Sequence, residues 1–153
     1  MRRRAIYEYK YIKRIEFHEA DPAGILHFSN YFRYMELAEH AFYHELGFSG
    51  FRLKKKNSHG WPRVKAQMDY LAPLAYDEEV EVHLVVEEKL RKVLNYVFLF
   101  RRVFDGRLVA KGRLTVVFVS VDNDTRKLKA AKIPDKLYDQ ISEAPKKLLE
   151  AVE

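Results

Sequence analysis

Residues 28–47 read FSNYFRYMELAEHAFYHELG, and the reading of this stretch decides the fold. Apolar groups recur at helical spacing at Phe28, Tyr31, Met35, Ala38, Phe42 and Leu46. Gly47 follows, a residue suited to the left-handed conformation that often closes a helix. Upstream, residues 6–18 are rich in Tyr, Ile and Phe and read as a strand. Downstream of residue 60 the period changes to two. Val64, Ala66, Met68 and Tyr70 alternate with polar partners, and so do Val80, Val82, Leu84 and Val86. Residues 93–104 and 108–121 are long β-branched and aromatic runs joined at Asp105-Gly106, a hairpin signal because both turn positions favour positive φ. Pro134 is placed to open a short C-terminal helix.

The order is strand, long helix, four long strands, short helix. That is an α+β chain with an antiparallel sheet. A lone helix against five long strands buries its apolar face only if the sheet curls around it. Edge strands then remain, and edges are commonly covered by association, so a dimer is expected.

At 153 residues, with no internal repeat or linker, residues 1–153 read as a single domain. Hydrophobic residues make up 48% and charged residues 33%, a globular balance rather than a disordered one. No apolar run approaches a membrane span, and the basic start lacks the apolar core of a signal peptide. The expected location is cytoplasmic. The absence of cysteine excludes disulfides, thiolate metal sites and cysteine nucleophiles. The net charge of +6 suits an anionic partner, although Arg2, Arg3, Arg4 and the Lys54–Lys56 run also read as solvated loops.

The candidate chemistry lies just upstream, in HEADPAGILHFSNY, residues 18–31. Asp21 stands at a Pro-Gly turn ahead of the helix start. Asp before Pro is a common turn initiator, and Asp near a helix start is a common cap. From spacing alone that structural role comes first. The alternative is catalytic. Helix N-terminal N–H groups can stabilise an oxyanion, and a nearby carboxylate can act as nucleophile or general base.

The segment FHEADPAGILHFSNYFRYMELAEHAFYHELG resembles the hotdog-fold acyl-CoA thioesterases of the 4-hydroxybenzoyl-CoA thioesterase family. The match runs through Asp21, Pro22, Ala23, Gly24, Ile25, Leu26, His27, Phe28, Asn30 and Tyr31, and PRVKAQMDYLAPLAYDEEVEV fits the family's next strands. The resemblance implies a hotdog fold, a curved antiparallel sheet wrapped around one long central helix. It implies a homodimer or homotetramer that hydrolyses acyl-CoA thioesters without metal or organic cofactor. Asp21 falls on the family's catalytic carboxylate, and Phe28 on the position whose backbone N–H polarises the thioester carbonyl. His27 departs from the Trp or Tyr common at its position. Arg91 and Lys92, in EEKLRKVLN, fall where family members contact CoA phosphates, and Lys127 and Lys129 fall where the family again shows basic residues. Each of these four also reads as a solvated charge.

Other patterns carry less. Glu36, His40 and His44 share one helical stripe as metal ligands can, but that stripe lies opposite the apolar face and reads as solvated. Glu36 and Glu39 matter because another hotdog branch uses a helix Glu as its carboxylate. With Asp21 present, both read as surface or interface residues. The aromatic content of 14% sits mostly at core-facing periods, and no nucleic-acid-binding motif is present. The expected function is acyl-CoA thioester hydrolysis. The alternative is a non-catalytic binder of acyl-CoA or another small ligand on the same fold.

Overall fold

The computed structural model describes residues 4–48 and 58–153. Arg2, Arg3 and the Lys54–Lys56 run lie outside the described residues. The long helix α1 spans Asn30–Glu45 and buries Tyr31, Tyr34, Met35, Ala38, Glu39, Phe42 and Tyr43. Those positions form one stripe at i, i+3, i+4, i+7, i+8. Leu46 is buried just past the helix end, and Phe28 stands exposed before its start. The stop is at Gly47, with φ +84°. There the Phe48 N–H donates to the Tyr43 carbonyl (2.9 Å) and the Gly47 N–H to that of His44 (3.0 Å), a Schellman closure.

Five antiparallel strands form the main sheet. They are β1 (Glu8–Arg14), β3 (Arg63–Tyr70), β4 (Glu79–Lys89), β5 (Val93–Arg102) and β6 (Leu108–Val117), in the order β1-β4-β5-β6-β3. Helix α1 touches β1 and β3, the two opposite edges. Four strand spacings of about 4.8 Å put the edges of a flat sheet roughly 19 Å apart. One helix reaches both because the sheet curls around it. Val80, Val82, Leu84 and Val86 of β4, and Leu94, Tyr96, Phe98 and Phe100 of β5, are buried against the helix. Each such fully buried apolar side chain contributes roughly 1.5–3 kcal/mol. Gly112 of β6 marks the closest approach, since a Cβ there would lie 2.6 Å from Met35 Sδ and 3.0 Å from Met68 Cε.

A second, three-stranded sheet pairs β2 (Ser58–Gly60), β7 (Val119–Val121) and β8 (Leu128–Ala130) in the order β2-β7-β8. Two short helices follow, α2 (Asp135–Tyr138) with Pro134 at its N-cap, and α3 (Lys146–Val152). Helix α3 lies on the outer face of the main sheet, where Val152 and Leu148 cover Val97 and Leu99. His83 is buried on β4, donating and accepting between Glu8 (2.6 Å) and Arg101 (3.2 Å), and burial holds its imidazole below the usual range. Among the described residues, no helix is long and apolar enough to cross a membrane.

The second sheet and the second C-terminal helix are not expected from the sequence, and the structure departs from the sequence reading elsewhere too. The first strand ends at Arg14, and the chain turns through a 3₁₀ turn at Phe17–Glu19. The 108–121 run breaks at Phe118, whose N–H donates to the Lys92 carbonyl as the chain leaves for the second sheet. At the β5–β6 connection only Gly106 has positive φ, +69°. Asp105 is instead held by Arg102 (2.7 and 3.1 Å), which keeps its carboxyl low, at about 2, and the loop runs through Val103–Arg107. Finally, β3 lies at an edge and its burial does not alternate as expected: Val64 (61%), Ala66 and Tyr70 (46%) are exposed, and of the four only Met68 is half-buried.

Candidate active site

The segment between β1 and α1 is built by backbone bonds that fold it back on itself. Ile15 is buried and its N–H donates to the Glu78 carbonyl, which ends β1 against the start of β4. Glu16 and Glu19 then close a capping box around the 3₁₀ turn. Ala20 bridges Leu26, and Ile25 bridges Ala75. Between those bridges sits the Asp21 turn. The Asp21 N–H donates to the Ile25 carbonyl (2.8 Å), and the Gly24 N–H donates to the Asp21 carbonyl (2.9 Å). Gly24 has φ +79°, which only glycine adopts without strain.

The Asp21 side chain is half-buried. Its Oδ1 accepts from the Ala23 N–H (2.8 Å) and the Ile25 N–H (3.4 Å), so both turn bonds use one oxygen. The carboxylate thus organises its own turn and does not cap α1, which begins nine residues later. The turn uses only Oδ1, and the second carboxylate oxygen is not needed for it.

Phe28 precedes the helix N-cap, Ser29. Its ring is 63% exposed and stacks on His27 at 4.6 Å. Its carbonyl accepts from the Tyr70 hydroxyl of β3 (2.9 Å). The next two N–H groups are occupied, Ser29 by His27 Nδ1 (3.3 Å) and Asn30 by the His27 carbonyl (2.9 Å). The Phe28 N–H makes no hydrogen bond among the described residues. A free N–H at the start of a 16-residue helix suits a developing negative charge. His27, where Trp or Tyr is common in the resembled family, spends its Nδ1 on Ser29 and so shapes the helix entry.

Two buried carboxylates lie nearby on the chain. Glu19 is 8% exposed and ties β1, the 3₁₀ turn and α1 together through Lys13, the Glu16 N–H and the Tyr34 hydroxyl. Burial alone raises its carboxyl, but these three donors bring it below the ordinary range. Glu39 is fully buried, which corrects its reading as a surface residue, whereas Glu36, His40 and His44 are exposed as expected. Position 39 is one turn on from Met35 and so falls on the core stripe. Arg63 of β3 donates to Glu39 Oε1 at 2.5 Å, and Oε2 is buried without a partner among the described residues. Neither role stood out in the sequence, although the helical spacing of Glu39 with Met35 was a signal for its burial.

The basic candidates sit elsewhere. Arg91 and Lys92 occupy the β4–β5 turn. Arg91 pairs with Asp135 and lies over the Tyr138 ring at 4.5 Å, while Lys92 is exposed. Lys129 is exposed on β8, and Lys127 is exposed in the loop before it. Phe118 bonds to both the Lys92 carbonyl (2.8 Å) and the Ala131 N–H (2.9 Å), so the β4–β5 turn and the end of β8 adjoin. The Asp21 turn contacts residues 74–76, ahead of β4. β4 has 11 residues. At about 3.3 Å per residue its two ends are roughly 35 Å apart. One chain therefore places Asp21 and the Arg91-Lys92 pair at opposite ends of the sheet.

Residues 15–151 match the thioesterase-like superfamily. A protein of Aquifex aeolicus (strain VF5) is 40% identical over 91 residues, 58% of this chain and 69% of that one. The 4-hydroxybenzoyl-CoA thioesterase of Pseudomonas sp. (strain CBS-3) is 28% identical over 127 residues, 80% of this chain and 89% of that one. Among solved structures, a gentisyl-coenzyme A thioesterase superposes with a TM-score of 0.71 at 30% identity, covering 84% of this chain and 98% of that one. The sheet wrapped on a central helix is the hotdog fold.

Proposed function

Because the chain belongs to the thioesterase-like superfamily, a family of hydrolases, we propose that it cleaves acyl-CoA thioesters with Asp21 and the Phe28 backbone N–H. The observation that best supports this reading is the unpaired Phe28 N–H at the start of α1, in the same folded-back segment as the Asp21 turn. The thioester carbonyl oxygen would point at that N–H. As the carbonyl carbon becomes tetrahedral, negative charge collects on the oxygen, where the N–H and the helix dipole favour it. Asp21 serves in one of two ways. It attacks the carbon to give a mixed anhydride that water then cleaves, or it takes a proton from an attacking water. In both, the C–S bond breaks and the CoA sulfur leaves with the electron pair and gains a proton. The acyl group leaves as the free acid.

Arg91, Lys92 and Lys129 are the residues we assign to the CoA phosphates, which call for cations at the pocket mouth. The roughly 35 Å between the two ends of β4 favours a site shared by two copies. β3 is an edge with exposed Val64 and Tyr70, and a second chain pairing antiparallel along it runs in the opposite direction. The partner's basic turn then lies toward the end of the sheet that carries Asp21. A homodimer, or a homotetramer built from it, is the expected assembly.

The test is thiol release from a panel of acyl-CoA esters, with wild type beside Asp21→Asn. The variant is expected to lose roughly 10²–10⁴-fold in kcat, the range for removing a positioned base, with CoA binding retained. Wild-type rates in the variant would refute the role of Asp21. Binding without turnover by either protein would support the non-catalytic binder instead.

A further inference from the structure

The Asp21 half of the proposed chemistry hangs from a buried residue of the turn that precedes it. We propose that Glu19 is a positioning residue, whose buried carboxylate sets Asp21 relative to the helix start. This rests on the reading of Asp21 given above. Glu19 Oε1 accepts from the Glu16 N–H (2.8 Å) and the Tyr34 hydroxyl (2.8 Å), and Lys13 Nζ lies 3.2 Å away. Three elements thereby converge on one oxygen: β1 through Lys13, the turn leaving β1 through Glu16, and α1 through Tyr34. The backbone carbonyl of the same residue accepts from the His27 N–H (3.0 Å) and from Asn30 Nδ2 (2.9 Å). Glu19 therefore clamps both ends of the loop that contains Asp21, two residues after it and nine before the first residue of α1.

The loop has few other anchors. Asp21 makes its side-chain bonds within its own turn, to Ala23 and Ile25. The bonds that tie the turn to the rest of the molecule run through Leu26 to Leu74, Tyr76 to Gly24, and Glu19. Among the described residues, Glu19 alone of these connects the turn to α1, through its carboxylate to the Tyr34 hydroxyl and its carbonyl to Asn30 Nδ2. Phe28 has a second, independent hold, through Tyr70 and the packed helix. Loss of the Glu19 carboxylate removes the ties to Lys13, the Glu16 N–H and Tyr34 and keeps only the carbonyl bonds to His27 and Asn30, so Asp21 is expected to shift while the Phe28 N–H stays in place. A catalytic group displaced by about 1 Å can cost on the order of 10²-fold in rate.

The experiment compares Glu19→Ala and Glu19→Gln in wild-type and Asp21→Asn backgrounds, reading kcat, KM and thermal unfolding. Glu19→Ala is expected to lower kcat by about 10²-fold, with KM within two-fold of wild type. Glu19→Gln keeps an acceptor oxygen for Glu16 and Tyr34, so it is expected to recover most of that loss. In the Asp21→Asn background neither substitution should change the residual rate more than about two-fold, because the group being positioned is already gone. If Glu19→Ala does not fold, Tyr34→Phe replaces it, deleting one of the three donors, with a several-fold kcat loss expected only when Asp21 is present. Equal proportional losses in both backgrounds would overturn the proposal, as would KM rising in step with the fall in kcat, or full turnover in Glu19→Ala. Wild-type activity in Asp21→Asn alone would instead overturn the reading of Asp21.

Discussion

The buried Glu39 carboxyl makes stability depend on pH in a direction opposite to that of most acid groups. Its side chain is fully buried, with Arg63 at 2.5 Å on Oε1 and nothing on Oε2 among the described residues. Burial pushes the carboxyl up from 4.5 to about 7, and the charge and hydrogen bond of Arg63 offset only part of that. The folded state therefore holds the proton more tightly than the unfolded chain. Below about pH 4.5 the group is protonated in both states and costs nothing. As pH rises toward 7 the unfolded chain ionises first, so stability falls, and above about 7 the full penalty is in place. At roughly 1.4 kcal/mol per pH unit, that gap amounts to about 3 kcal/mol. Against the 5–15 kcal/mol typical of whole domains, this is a large share. Glu39→Gln keeps the shape and removes the titration. Urea unfolding of both proteins at fixed concentration, from pH 4.5 to 8.5, isolates the effect, because other groups cancel in the difference. The difference is expected to move by about 3 kcal/mol in favour of Glu39→Gln across the window. A flat difference would refute the reasoning. So would one moving the other way, since that would mean Arg63 outweighs burial.

Two further predictions follow from the geometry. If the site is shared between copies, mixing refolded Asp21→Asn chains with Arg91→Ala/Lys92→Ala chains restores activity to about one quarter of wild type, because half the dimers are mixed and half their sites are intact. A site built within one chain gives no recovery in the same thiol-release assay. Gly112→Ala forces a Cβ to 2.6 Å from Met35 Sδ and is expected to destabilise by about 1–3 kcal/mol in urea unfolding, while unchanged stability would show that the thioethers swing aside.

The parts of the fold that were legible in the sequence follow from local rules. Gly47 closes α1 because no other residue adopts its φ as cheaply. Val80, Val82, Leu84 and Val86 alternate because one face of β4 meets the helix. What escaped depends on burial from two sides or on partners distant in the chain. Val97 and Leu99 fill the other register of β5, a signal of coverage on the outer face, but the cover is α3, only seven residues long and too short to show a period. Phe118 breaks a continuous β-branched run because the Lys92 carbonyl captures its N–H. The Asp21 turn could be read from Asp-Pro-Ala-Gly itself. The clamp at Glu19 could not, because its partners Lys13, Tyr34 and Asn30 come together only after β1 and α1 have docked. Glu39 looked like a surface acid because charge suggested solvent, while its position one turn from Met35 placed it inside.

Helix α3 has a consequence for proteolysis. Its Val152 and Leu148 lie over the middle strands, and Lys111 of β6 donates to the Val152 carbonyl at the helix end. A cut at Pro145 that released this helix would uncover Val97 and Leu99 on the outer face of the curved sheet. Such a nicked chain would keep its site yet carry an apolar patch, so loss of α3 would favour association through the outer face rather than the edge.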